Sequence, residues 1–440
     1  MKGTGSYDKC HIDHIDKKRW LFAMYTICFG IMVMLVFGRF LYYGKSFVGG
    51  ADGLSQVAPT MQYTGQYYRA LLKNILQGNL QIPMWDMSIG FGMNILQVIS
   101  FDPVYILCSV LFVHDIAVGI AIFDMLCLYL AGIMFIALCY NLGCNRYAAL
   151  AAAMAYIFNG YILNYCMAQN SFLRLFIVLP MMLLGANRVI KRNKYDVFVI
   201  AVLYNVVLEP LNLYTIGLVL ILYFCVTYFF ANRKRGVFDF VNYVWKPLLV
   251  YILALAGMAF FLIPTIYKIF NGGRIGNANV HFQWFYDGTY YRSLIHGLVG
   301  IDEIGIHGYL GVTTLAVLAV VSLVTRRKKN ILEKKLCVFG IIALFLAIFP
   351  IGSYLFNGGI GFNHRFLFVL DFYLCVVLAV MFPKLFELDL REKKKLFISA
   401  VIYIMVYALI SIWSDKNVDY AMEFMLFYLV LVMFGRKIKM

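Results

Sequence analysis

Apolar stretches of about 18–25 residues recur along the whole chain, and that is the length a helix needs to cross a bilayer. They fall at residues 20–43, 116–140, 147–165, 172–190, 196–212, 213–231, 245–270, 306–325, 334–356, 364–384, 396–413 and 418–435. This pattern predicts an all-α, polytopic integral membrane protein with about 12 transmembrane helices. All 440 residues then form one membrane domain. Hydrophobic residues make up 63% of the chain and charged residues 14%, against about 45–50% and about 25% in an ordinary soluble domain, so no soluble fold could hide this surface.

A net charge of +16 would suit a nucleic-acid binder if the basic residues formed one patch, but they sit between the apolar stretches instead. Lys17, Lys18 and Arg19 precede the first stretch, and further clusters follow at Arg188 to Lys194, Arg233 to Arg235, Arg326 to Lys329, Lys393 to Lys395, and Arg436-Lys437. With the N-terminus inside, every cluster falls on the cytoplasmic side, as the positive-inside rule requires. The charge therefore reports topology: a membrane protein with both termini cytoplasmic, in contact with lipid and not with nucleic acid. Most of the ten cysteines lie in spans (Cys28, Cys127, Cys225, Cys375) or cytoplasmic segments (Cys10, Cys144), without CxxC spacing, so neither a disulfide framework nor a zinc site is implied. The first apolar stretch has no small-residue cleavage site after it and reads as a retained helix.

Two long segments fall on the external side, 44–103 and 271–305. In the first, residues 62–77 are patterned as an amphipathic helix, with Leu71, Leu72, Ile75 and Leu76 near one side and Arg69 and Lys73 available to the lipid surface. The apolar run from Pro103 to Val113 is too short to cross and reads as a half-helix or re-entrant piece. Between them lies Gly49-Gly50-Ala51-Asp52-Gly53-Leu54-Ser55-Gln56. A carboxylate flanked by glycines can be approached closely by a substrate, so Asp52 is a candidate general base, although Gly-Asp-Gly is also an ordinary surface turn. Downstream, Trp85, Asn94 and Asp102 stand among glycines and aromatics, a composition that suits a saccharide or headgroup pocket and equally an interfacial aromatic anchor.

Taken together, Gly50, Asp52, Gly53, Gln56, Pro59, Tyr67 or Tyr68, Leu72, Gly78, Pro83, Trp85, Gly90, Gly92, Asn94 and Pro103 resemble the N-terminal half of the YfhO family of bacterial membrane proteins, which belong with the GT-C glycosyltransferases. The resemblance is close over the first external segment and looser, through span arrangement, beyond it. It implies a GT-C-like fold, a polyprenyl-phosphate sugar donor used at the outer face, and a catalytic role for Asp52. Many such chains are longer, continuing into further spans and an extracellular C-terminal part, so this sequence is expected to be a shortened member.

Charge at bilayer depth is expensive and usually has a partner or a wet cavity. Arg174 and Arg365, each at the outer start of a span, are candidates to hold the donor phosphate, with a snorkelling anchor as the alternative for both. His364 and Asp371 are seven apart and could form a hydrogen-bonded pair on one helical face. Asp124, Glu209 and Arg39 are further buried-charge candidates, Glu209 being best placed to face an outer cavity, while His281 and Arg292 could line an acceptor path. The expected substrate-binding set is Gln56, Trp85, Asn94, Asp102, Glu209, His364 and Arg292. The outer loops hold no dense carboxylate cluster, so no metal ligand is assigned and no cofactor is certain, with a divalent ion left open. The reading is a glycosyltransferase that moves a sugar from a polyprenyl phosphate to a cell-envelope acceptor such as a teichoic acid or polysaccharide. A polysaccharide polymerase or ligase is the enzymatic alternative, and a transporter or flippase of lipid-linked saccharide is the alternative of another class.

Overall fold

The computed structural model describes residues 5–50, 52–207, 210–231, 236–271, 283–300, 302–359, 361–413 and 420–435. Seventeen α-helices follow in chain order: α1 (Gly5–Tyr42), α2 (Ala58–Leu76), α3 (Pro103–Leu111), α4 (Ile116–Leu142), α5 (Arg146–Ile157), α6 (Leu175–Arg192), α7 (Asp196–Val207), α8 (Pro210–Ala231), α9 (Val237–Gly257), α10 (Ala259–Asn271), α11 (Gly288–Gly297), α12 (Thr314–Thr325), α13 (Ile331–Ile348), α14 (Pro350–Phe356), α15 (Phe368–Leu385), α16 (Leu390–Trp413) and α17 (Ala421–Phe434). A two-residue ribbon, β1 (Trp85–Asp86) against β2 (Met93–Asn94), is the strand structure among the described residues. The fold class is as expected: an all-α, multi-pass membrane protein.

Seven helices are long and apolar enough to cross a membrane, and an eighth span exists if α13 and α14, bent by 94° at Phe349, count as one. The expected number of 12 is not reached among the described residues. Its remaining members correspond to α5, α7 and α12, each 12 residues long, and to α17 with 14. At 1.5 Å per residue these helices are roughly 18–21 Å long, short of the ~30 Å hydrocarbon core. The stretch at 245–270 is likewise two helices, α9 and α10, broken at Met258.

The centre of the bundle is α4, α5, α6 and α15, which pack on one another, with α12 laid against α15. Burial sorts centre from rim: 78% of the α6 span and 72% of the α15 span are inside the protein, against 11% for α9 and 17% for α1. Facing water, rim helices with exposed Ile31, Leu35, Leu253 and Phe260 would aggregate; in lipid they are solvated. Close approaches fix the register. Gly132 of α4 leaves room for the Tyr25 ring of α1, whose hydroxyl donates to the Tyr129 carbonyl at 2.9 Å. Helix starts are capped by side chains as sequence rules prescribe, Asp102 for α3, Asn145 for α5 and an Asn330–Glu333 capping box for α13.

The segment between α1 and α4 forms a layer over one end of the bundle. Helix α2 is amphipathic as expected, but its buried face is Met61, Thr64 and Gly65, because Gly65 lies directly on the Ser109 carbonyl of α3. Leu72, Ile75 and Leu76 point outward. Arg69 turns back instead of reaching for lipid, and its Nε donates to the Val110 carbonyl at 2.7 Å, satisfying a helix-end acceptor. The half-helix reading of Pro103 to Val113 matches the nine-residue α3.

Candidate active site

Asp52 opens a wide, five-residue π turn, Gly53–Val57, that leads into α2. A second π turn, Ile162–Cys166, follows α5 and faces it. Such wide turns push backbone out of helical line and recur at functional sites. The first loop lies on the residues just after the second turn because glycine permits it: a Cβ on Gly49 would lie 2.9 Å from the Ala168 Cα, and one on Gly53 3.7 Å from the Ala168 carbonyl oxygen. Close docking carries the Asp52 carboxylate to two side-chain amides. Gln56 Nε2 donates to Oδ1 at 2.7 Å, and Gln169 Nε2 donates to Oδ2. The amide orientation follows from chemistry, since an ionised carboxylate can only accept. Its oxygens offer about four lone-pair directions, so two donors fix the group and leave acceptor capacity for a third proton.

Tyr165, in the second π turn, joins this carboxylate to the far end of the chain. It lies within electrostatic reach of Asp52 and has the Arg365 guanidinium against its ring. The Arg365 guanidinium sits over two aromatic rings, 5.1 Å from the centroid of Phe172 and 5.8 Å from that of Tyr165. Two backbone contacts fix the arginine: its N–H donates to Asn363 Oδ1 at 2.9 Å, and its carbonyl accepts the Tyr161 hydroxyl at 3.0 Å. Its Nε is buried and has no hydrogen-bond partner among the described residues. Beside it is a cavity of about 20 Å³, lined by Phe172, Asn212, Asn357, Asn363 and Arg365 among others. His307, at 5.5 Å ring to ring, and Tyr309, at 6.3 Å, cover Tyr165 from the segment before α12.

Arg174 is in a different environment. It is 8% exposed and forms an ion pair with Asp102, NH1 to Oδ2 at 3.6 Å, and Asp102 is wholly buried. The same Asp102 Oδ2 accepts the Tyr204 hydroxyl at 3.2 Å, while Oδ1 caps α3 through the Val104 N–H at 3.0 Å. Arg174 also contacts Ser100 Oγ at 3.5 Å and the Tyr105 ring at 5.8 Å. Asp124 belongs to this buried neighbourhood, near Asn170. The structure therefore separates the two arginines that the sequence treated alike.

The other expected residues divide as follows. Asn94 Oδ1 accepts the Leu96 N–H at 3.0 Å and so caps a short turn, and Trp85 pairs with it across the ribbon. The Trp85 indole is 60% exposed, with its edge against Gly92, where a Cβ would come within 2.9 Å of Nε1. Arg292 donates to the Gly288 carbonyl at 3.2 Å and lies 4.8 Å over the Trp413 ring, which brings it to α16 instead of to Asp52. Glu209 and His281 lie outside the described residues.

The expected pairing of His364 with Asp371 does not form. His364 precedes a 3₁₀ turn, Arg365–Leu367, so seven-residue helical spacing does not apply to it. Its Nδ1 accepts the Ile306 N–H at 3.0 Å, and its ring lies 4.9 Å from Tyr290 and 5.0 Å from Tyr286. Both Asp371 oxygens are buried without a hydrogen-bond partner among the described residues. Sequence reasoning missed Gln169 and Tyr165. The available signal was a polar Gln169-Asn170 pair in the short connection just before Arg174. No group of three or more metal-ligating side chains is present among the described residues.

The model of the family described as bacterial membrane protein YfhO matches residues 24–439, nearly the whole chain. The protein belongs to the YfhO family. The match takes the resemblance beyond the first external segment, and both the Asp52 segment and the Arg365 segment lie within the matched residues. No curated protein and no solved structure matches the chain.

Proposed function

We propose that this YfhO-family protein is a membrane glycosyltransferase that moves a sugar from a polyprenyl-phosphate donor to a hydroxyl of a cell-envelope acceptor. Reaction takes place at the external face, and both termini are cytoplasmic. One observation carries this reading: a carboxylate from the first loop and a guanidinium from α15's N-terminal side converge on Tyr165, the carboxylate oriented by two amides and the guanidinium keeping a buried, unpartnered N–H. In the reaction, Asp52 accepts the proton of the acceptor hydroxyl as that oxygen bonds to the anomeric carbon. The bond from that carbon to the phosphate oxygen breaks, and Arg365 stabilises the charge that grows on the departing phosphate. The basic clusters support the orientation, because they place the Asp52 loop away from the cytoplasm. Trp85, with an exposed indole, is suited to stacking on a saccharide.

Transfer of labelled sugar from a synthetic polyprenyl-phosphate donor by the purified protein in lipid tests the proposal. Asp52→Asn keeps the shape and both amide contacts within reach and is expected to lose about 10²–10⁴ of the rate, the usual contribution of a positioned base. Equal rates in the two proteins would remove Asp52 from the chemistry. A transporter of lipid-linked saccharide is the second reading, favoured by the 94° break between α13 and α14. It takes over if wild type moves lipid-linked sugar across vesicles and transfers none.

A further inference from the structure

A second cavity lies inside the bundle, away from Asp52, and the mechanism above does not use it. It has a volume of about 350 Å³ and runs between α4, α6, α8, α13 and α15. That volume is at the small end of the range for ligand pockets, about 300–1,000 Å³. Its walls are almost entirely apolar: Leu138, Leu183, Val219, Phe339, Ala343 and Phe372 are representative. At one end, where α4 and α6 finish and α13 begins, stand Lys191 and Lys335. At the other, Phe356 and Phe366 stack at 5.3 Å and separate this cavity from the small one beside Arg365.

The two lysines are the unusual feature. Both line the cavity, and they are close enough to feel each other's charge. Lys191 Nζ reaches a main-chain acceptor, the Asn141 carbonyl, at 3.4 Å. Lys335 has no hydrogen bond or ion pair among the described residues. The carboxylates nearby are engaged elsewhere, Glu333 with Lys384 and with Arg326 at 3.9 Å, and Asp196 with Arg188 at 2.7 Å. Two like charges at the mouth of an apolar slot repel, and a single anion between them removes that cost. An occupant must therefore carry an anionic head at the basic end and an alkyl chain along the slot.

We propose that this cavity binds one anionic phospholipid from the leaflet on the basic side, its phosphate held by Lys191 and Lys335 and one acyl chain lying between α8, α13 and α15 towards Phe356 and Phe366. The site is separate from the donor site in position. A polyprenyl phosphate bound for transfer has its phosphate at Arg365, at the opposite end.

Native mass spectrometry of the full protein, released from bilayers of phosphatidylcholine and phosphatidylglycerol, tests this. Wild type is expected to retain one phosphatidylglycerol over phosphatidylcholine by roughly 25-fold, about fivefold for each basic residue near the headgroup. The Lys191→Gln/Lys335→Gln variant should lose that preference while still retaining a lipid, and Lys191→Arg/Lys335→Arg should keep it. Ala343→Phe, which fills the slot, should retain neither lipid. If Ala343→Phe does not fold, the lysine variants decide alone. The proposal fails if wild type holds both lipids equally, if the Gln variant keeps the preference, or if polyprenyl phosphate displaces the bound phosphatidylglycerol. None of these readouts depends on sugar transfer, so the glycosyltransferase reading stands or falls separately.

Discussion

Arg174 and Arg365 occupy equivalent places in the chain, each at the loop-side start of a central helix, yet the fold gives them opposite tasks. Arg174 is neutralised by Asp102 at 3.6 Å inside a cluster that also takes in Tyr204 and Ser100. Arg365 has aromatic rings for neighbours, a cavity beside it and a buried Nε left without a partner. The same contrast holds for the acids. Asp102 spends its oxygens on an ion pair, a hydroxyl and a helix cap, whereas Asp52 receives two amides that orient it without neutralising it. A charge satisfied from within is architecture, and a charge held in place but not satisfied is available to a ligand.

The sharpest way to break this comparison is to delete each arginine. Arg174→Met leaves Asp102 buried and unpaired, so stability should fall by about 3–5 kcal/mol, read as a drop in melting temperature in lipid. Adding Asp102→Asn, which retains the α3 cap, should recover most of that loss, and turnover per folded molecule should change little. Arg365→Met should leave melting nearly unchanged and raise the donor KM about tenfold or more. If the two variants behave alike, the distinction between the arginines is wrong.

Smaller effects sharpen the picture of the loop layer. Gly49→Val places atoms against the Ala168 Cα, 2.9 Å from the would-be Cβ, and overpacking of this kind costs about 1–3 kcal/mol. It should also displace Asp52 from Gln169 and lower transfer, which Gly50→Ala, with nothing within 4 Å, should not do. Asn94→Ala removes a cap worth about 1 kcal/mol and should leave the donor KM unchanged, because its Oδ1 is already engaged by Leu96. A rise in KM would return Asn94 to the substrate.

What the sequence determined by itself was whatever depends on local composition and period. Apolar length and basic clusters specify a multi-pass helical membrane protein, because bilayer thickness leaves few other solutions. Short-range features such as the Asp102 cap of α3 and the Asn330–Glu333 box of α13 are closed within one turn, so they too depend only on neighbouring residues. The fold class and the Asp52 segment could therefore be read from residues near each other. Span number could not be, since a run such as 245–270 shows no break until Met258 interrupts it in three dimensions. Nor could the partners of charged groups. Gln169 reaches Asp52 where Gly49 lets the first loop lie directly on Ala168, and Arg365 meets the Tyr165 ring from the far end of the chain. Which of two arginines is paired, and which is left facing a cavity, is decided by contacts between distant segments, and hydrophobic periodicity carries no record of those.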